Sequence, residues 1–370
     1  MFEIENPFKY GPIVTGRDFV DREPELSELI NEIRSGKSIV VYSNRRMGKS
    51  SLLAELTRRH QKEFIFVTVD LYGTTDRTQF LQAIVREVGK SAFGRMEKLA
   101  AGFVDIIRSA GLRYVLTGSG ELGVEFTDKE PRAHEASEIL DLPQKIAAKK
   151  GKRIVVIFDE FQEIASLDGF SLLRLMRSRF QTHGSSVYIF SGSKRHLLHH
   201  IFEEREGAFF KFARPLELGP IPNADFERFV SARFSSAGGK AGADVARRVV
   251  ESGQGFPYYT QQIAHELFLV SETPSVADVD LAVRNAVEHQ APAFSYVWDS
   301  VKSPLQRRYL IGLAKEPQSA SGTMFISKYR LKSWSHVERV RKQLEGRGLI
   351  DRGAIVDPLF AIWLRSIEKF

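Results

Sequence analysis

Short apolar runs alternate with stretches whose apolar residues recur every three to four positions through the first part of the chain. Residues 38–42, 64–70, 154–158, 186–191 and 216–218 read as buried strands. Between them, Leu26, Leu29, Ile30 and Ile33 repeat at helical spacing, as do Phe80, Ile84 and Val88. Helices are also predicted from residue 51, over 136–149 and over 170–182. Strands that alternate with helices imply a parallel, doubly wound sheet. Residues 91–135 interrupt the alternation and read as an insertion. Within it, residues 112–116 and 122–126 suggest a hairpin across Gly118-Ser119-Gly120.

From residue 222 the pattern becomes wholly helical, broken only at Gly253-Gln254-Gly255-Phe256-Pro257. Pro304 opens a last unit, with helices at 305–315 and 325–331. Ser335 is the expected cap of a third helix, in which Val337, Val340 and Leu344 keep core spacing. Glycines at 346, 348 and 353 punctuate a short extended segment to Val356. Three helices followed by a strand pair outline a winged helix. The expected organisation is an α/β parallel-sheet core over 1–221, an all-α lid over 222–300 and a winged helix over 301–370.

Composition narrows the chemistry. The chain has 370 residues, of which 43% are hydrophobic and 27% charged, ordinary for a globular protein. No cysteine is present, which excludes disulfides, thiolate metal sites and a cysteine nucleophile. That absence fits a reducing compartment, so a cytoplasmic location is expected. The first residues lack the basic and apolar regions of a signal peptide. No apolar run is long enough to span a bilayer, so no membrane partner is expected. The histidines show no ligand spacing such as H-E-x-x-H.

Charge is unevenly spread. Residues 301–370 hold 14 basic and 6 acidic side chains, whereas the other 300 hold 39 and 40. A basic tail suits either a polyanion partner or a solvated surface.

The densest chemistry lies after the first strand. The run Ser43-Asn44-Arg45-Arg46-Met47-Gly48-Lys49-Ser50-Ser51 joins a strand to a helix. This is the setting of a phosphate-binding P-loop, in which backbone N–H groups and the helix N-terminus face phosphate oxygens. Gly48 lets the backbone approach closely, Lys49 reaches the β- and γ-phosphates, and the Ser50 hydroxyl is a ligand for Mg²⁺. The first glycine of the usual G-x-x-x-x-G-K-[ST] pattern is Ser43, which resists positive φ and is expected to alter the loop slightly.

A second motif reinforces the first. Lys152-Arg153 precede the apolar run 154–158, which ends in Asp159-Glu160. Ligands of open α/β sheets bind at the C-terminal ends of strands. Asp159 is placed to complete the Mg²⁺ shell, and Glu160 to polarise an attacking water.

Taken together, these residues resemble the archaeal-type AAA+ ATPases of the STAND class. Asn6-Pro7-Phe8 and the box running from Phe19-Val20-Asp21-Arg22 to Leu26 resemble the family's N-terminal motif, with Asp21 in place of a glycine. Arg45 to Leu53 resemble its P-loop, and Asp159-Glu160-Phe161-Gln162-Glu163 its acidic strand end. Ser191-Gly192-Ser193, Gly255-Phe256-Pro257-Tyr258-Tyr259 and the ending from Asp357 to Arg365 complete the likeness.

The resemblance implies ATP or ADP with Mg²⁺ as ligands, and the absence of an Asn-Lys-x-Asp motif agrees with adenine over guanine. It implies that Phe19 and Val20 line the base pocket, that Ser191 or Ser193 senses the γ-phosphate, and that Pro257 touches the base from the lid. It also implies that Arg214 stabilises charge on the transferring phosphoryl group; Arg45 and Arg46 are open to the same role or to pairing with acids. In the tail, Arg339, Arg341 and Lys342 lie on the expected recognition helix, available to DNA.

The function expected is slow ATP hydrolysis driving a conformational switch. A DNA-binding regulator that holds nucleotide without turnover, and a signalling scaffold with a protein partner, are the alternatives. A small-molecule kinase fits the lid and basic tail poorly. The sequence leaves the oligomeric state open.

Overall fold

Five parallel strands form a sheet in the spatial order Ile65–Asp70, Ile154–Asp159, Ser186–Gly192, Ile39–Tyr42 and Arg214–Glu217. The computed structural model describes residues 5–92, 108, 112–116, 122–126, 132–167, 169–193, 195–319 and 322–367. The chain divides into two compact units. One consists of Arg22–Ser43 and Lys49–Leu218, the other of Met1–Asp21, Asn44–Gly48 and Gly219–Phe370.

In the sheet unit the elements follow the predicted alternation. Helix α1 (Glu23–Arg34) starts with Pro24 and two acids in its first turn, which suit a helix N-terminus. Then come β1 (Ile39–Tyr42), α2 (Lys49–His60), β2 (Ile65–Asp70) and α3 (Arg77–Ala92). The hairpin β3 (Leu112–Leu116) and β4 (Leu122–Phe126) pairs Leu112 with Phe126 as a separate two-stranded sheet. The rest of the expected insertion, including its glycine turn, lies outside the described residues.

Where one helix was expected over 136–149 there are two, α4 (Ala133–Leu140) and α5 (Leu142–Lys150). Pro143 explains the break, because in a continuous helix its ring would strike the carbonyl four residues earlier. The remaining elements are β5 (Ile154–Asp159), α6 (Gly169–Phe180), β6 (Ser186–Gly192), α7 (Arg195–Phe202) and β7 (Arg214–Glu217). Helix α7 was not anticipated from the sequence. A 3₁₀ turn (Phe161–Ser166) follows β5.

One face of the sheet packs on an aromatic cluster. Phe190 on β6 lies with its ring centroid 4.6 Å from Phe161, 5.0 Å from Phe202 and 5.3 Å from Phe209. Strands buried on both faces read as continuous apolar runs. That explains why β5 and β6 were so legible.

The second unit is helical. Its elements are α8 (Asn223–Ser236), α9 (Ala243–Gly253), α10 (Pro257–Val270), α11 (Val276–Ser300), α12 (Pro304–Lys315), α13 (Thr323–Lys328) and α14 (Trp334–Gly346). A short antiparallel ribbon of β8 (Ile350–Asp351) and β9 (Ala354–Ile355) follows, then α15 (Pro358–Ser366). The N-cap of α14 is Ser333 and not Ser335, which sits inside the first turn. Helix α15 was not anticipated either. Asp357 caps it, accepting hydrogen bonds from the N–H groups of Leu359 and Phe360 at 3.0 Å each.

The N-terminal segment belongs to this helical unit. Phe8 packs on Phe234 of α8, with centroids 5.1 Å apart, and Arg233 donates to the Pro7 carbonyl at 2.9 Å and pairs with Asp18. The fold class is therefore the expected one: a parallel α/β core followed by helices and a three-helix-and-ribbon end. Among the described residues no helix is long and apolar enough to cross a membrane.

Candidate functional site

The C-terminal ends of β1, β5 and β6 carry the site in the sheet unit. Register places these strands side by side, with Phe158 opposite Phe190 and Val41 opposite Ser191. Directly after β1, the Lys49 ammonium donates to Ser43 Oγ at 3.2 Å, and both side chains are buried. Ser50 Oγ donates to Asp159 Oδ2 at 3.0 Å. Strand spacing thus brings together residues more than a hundred positions apart.

The chain leaves β5 sharply. Glu160 adopts φ 50°, in the left-handed region, and its N–H donates to Asp159 Oδ1 at 3.0 Å. An L-residue there is disfavoured by about 1–2 kcal/mol. The kink turns the Glu160 carboxylate toward two donors, Ser193 Oγ at 3.2 Å and the Gln162 side-chain amide. Ser193 is therefore the serine brought to Glu160. Ser191 lies inside β6, where its buried hydroxyl has no hydrogen-bond partner among the described residues.

Arg214 is not brought to this edge. It is the first residue of β7, in register with Ile39, the first residue of β1. The acids and Lys49 lie at the other end of the strands. Its guanidinium is committed to Glu28, at 2.9 Å, and to Glu32. The structure therefore does not bring Arg214 together with Lys49, Asp159 and Glu160.

Ser43 needs no positive φ. The left-handed residues of the loop are Arg46, at 68°, and Gly48, at 84°. The serine in the first glycine position is thus unstrained. It supplies the lysine with an acceptor that glycine lacks. The expectation of a perturbed loop at Ser43 is corrected accordingly.

The loop segment Asn44–Gly48 has its own surroundings in the helical unit. The Arg46 guanidinium lies 4.2 Å from the centroid of the Tyr258 ring and 5.1 Å from that of Tyr259. It also donates to Tyr259 Oη at 3.1 Å and lies 3.9 Å from Asp357. Tyr259 Oη donates in turn to Asp357. Burial, reinforced by Asp357, pushes the Tyr259 phenol far above its ordinary pKa, so it stays a donor. Asn44 Nδ2 reaches Asp351 of the ribbon at 3.2 Å. A methyl group built on Gly48 would lie 3.6 Å from Pro257 Cγ, so Pro257 is beside the loop.

The other candidates are simply placed. Arg45 is exposed, Met47 and Val20 are buried, and Phe19 and Ser51 are partly buried. Sequence reasoning gave no role to Gln162, Tyr258 or Tyr259, although all three stand within motifs it quoted. Asp351 belonged to no quoted motif.

A model of the ATPase domain found predominantly in Archaea matches residues 19–205. The chain belongs to this ATPase family. The matched region contains β1, the loop, β5 and β6, and so every residue of the Lys49–Asp159–Glu160–Ser193 set. Among solved structures, this ATPase is similar to a Walker-type ATPase of Pyrococcus abyssi. The two are 18% identical over 97% of this chain and 99% of that one, with a TM-score of 0.70. It is also similar to the ORC2 protein of Aeropyrum pernix, solved in ADPNP-ADP complexes, at 14% identity over 93% and 91% of the two chains and a TM-score of 0.60. At such identities the likeness establishes a shared fold. No curated protein matches the ATPase.

Proposed function

We propose that this ATPase is a Mg²⁺-dependent, STAND-type switch of the AAA+ class, with a lid at 222–300 and a winged-helix tail at 301–370. The observation that carries the reading is the Ser50–Asp159 hydrogen bond beside Lys49 and Glu160. A hydroxyl and a carboxylate in contact form a hard-oxygen pair that fits Mg²⁺, an ion that takes one or two carboxylates, phosphate oxygens and water. Among the described residues no group of three or more acids and histidines would cage a metal unaided. A phosphate-borne ion suits such a pair.

The roles follow from position. Lys49 and the N-terminus of α2 bind phosphate oxygens, Ser50 and Asp159 hold the ion, and Glu160 accepts a proton from the attacking water. Phe19 and Val20 line the base pocket. Pro257 reads the loop from the lid.

The switch reading is supported by Arg46. A loop residue is held by two lid tyrosines and by Asp357 in the tail, so a change of loop conformation is felt by both. A ligand shifts such an equilibrium only through differential affinity for its two states.

DNA is the proposed partner of the tail. On α14, Arg339 and Lys342 line an exposed groove of about 430 Å³, whereas Arg341 is paired with Glu338 at 2.9 Å. The phosphate-contacting residues are therefore Arg339 and Lys342.

Glu160→Gln tests the chemistry. Turnover should fall by about 10²-fold or more, the usual worth of a general base, while ATP affinity changes by only a few fold. Wild-type turnover in this variant would remove Glu160 from the reaction.

A further inference from the structure

We propose that Gln162 is a positioning residue that sets the direction of the Glu160 carboxylate, a role that rests on Glu160 being the base. Gln162 is only 3% exposed and sits in the 3₁₀ turn between buried Phe161 and Ile164. A carboxylate only accepts hydrogen bonds, so the amide nitrogen is the atom that faces Glu160. It donates to Glu160 Oε2 and, at 3.3 Å, to Glu163 Oε1.

That orientation turns the amide oxygen inward. Gln162 Oε1 is buried and has no hydrogen-bond partner among the described residues. It packs against Gly192, where any side chain would collide with it. A buried carbonyl oxygen without a donor costs stability. A residue chosen for packing alone would be apolar here, as buried Phe161 and Ile164 of the same turn are. The turn tolerates the orphan oxygen because the other end of the amide holds the carboxylate.

The arrangement is a two-donor clamp. Ser193 Oγ, at 3.2 Å, approaches the same Glu160 Oε2 from the end of β6. With Glu160 kinked into the left-handed region, its side chain leaves the strand direction, and the two donors fix where its free oxygen points. Orientation of a base governs how often it meets water in line, not how tightly nucleotide binds.

The test compares wild type, Gln162→Met, Gln162→Leu, Glu160→Ala and the double variant Glu160→Ala/Gln162→Met. Steady-state ATP turnover, ADP affinity and the melting temperature of the nucleotide-free protein are measured. Gln162→Met should lower kcat tenfold or more with KM and ADP affinity within about threefold. It should also melt at or above the wild-type temperature, since the orphan oxygen is gone. In the Glu160→Ala background it should slow turnover no further. If Gln162→Leu misfolds, the longer methionine still reads the role.

Three results would overturn the proposal. One is near-wild-type kcat in Gln162→Met while Glu160→Ala is inactive, which leaves the Glu160 reading standing. The second is a large drop in melting temperature, which makes the residue structural. The third is full turnover in Glu160→Ala, which removes base and positioner together.

Discussion

Arg46 is an unusual residue for a phosphate loop, because its side chain is occupied elsewhere. Its guanidinium lies against the Tyr258 and Tyr259 rings and bonds the Tyr259 hydroxyl. A cation over aromatic faces is worth about 0.5–2 kcal/mol and a hydrogen bond about 0.5–1.5 kcal/mol. Arg46→Ala should therefore destabilise the nucleotide-free protein by about 1–3 kcal/mol, read by urea unfolding. Tyr259→Phe combined with it should cost less than the two single changes added, because both act on one contact. Strict additivity would mean that the ring contacts and the hydroxyl act independently.

At the same scale, legibility followed covalent spacing. Lys49 and Ser50 stand next to each other in sequence, and so do Asp159 and Glu160; each pair is placed by the end of one strand. The Arg46–Tyr259–Asp357 chain was invisible, because it forms only when a loop, a lid helix and a tail helix pack. Gln162 carried little signal: it stands between Phe161 and Glu163, where a polar pair just after the acids reads as solvated turn.

Among the elements, β5 and β6 do most to position the chemistry. They run side by side through the middle of the sheet, and the aromatic rings beneath them fix their height. Phe190 is fully buried and touches rings from the 3₁₀ turn, α7 and the segment before β7. Phe190→Ala should cost about 3–5 kcal/mol, measured by urea denaturation. Turnover per folded molecule should fall too, because Phe161 next to Glu160 loses its support.

Strand direction also explains the misplaced arginine. The sequence suggested a strand at 216–218 with Arg214 ahead of it, but β7 begins at Arg214 itself. In a parallel sheet the first residue of a strand is at the edge away from the ligand. The helix break at Asp141 was missed for a related reason: apolar periodicity continued across it, and only Pro143 marked the junction.

For the whole molecule, charge is the property that most constrains a partner. The last 70 residues carry a surplus of eight positive charges, while the rest is nearly neutral. If Arg339 and Lys342 contact DNA phosphates, affinity should fall steeply with salt. Removing both should reduce the slope of log K against log salt by about 2, near 0.9 per phosphate. The slope is obtained from fluorescence anisotropy with labelled duplex. An unchanged slope would move the contacts elsewhere, and no binding at low salt would favour a protein partner.

The order of strands and the run of helices were legible because burial imposes a period on sequence. Grouping was not, because it depends on which surfaces meet. Residues 5–21 and 44–48 lie far from α10 in sequence, yet they belong to its compact unit.

One contact has a practical consequence for anyone who trims this chain. Asn44 and Asp351 are 307 positions apart and share a hydrogen bond, and Asp357 lies a few residues further on. A fragment ending at Ser300 would keep every motif residue of the sheet while losing both aspartates. Its loop would be liberated from a restraint that the full polypeptide imposes. Rates measured on such a fragment would describe a different catalyst, not a smaller one.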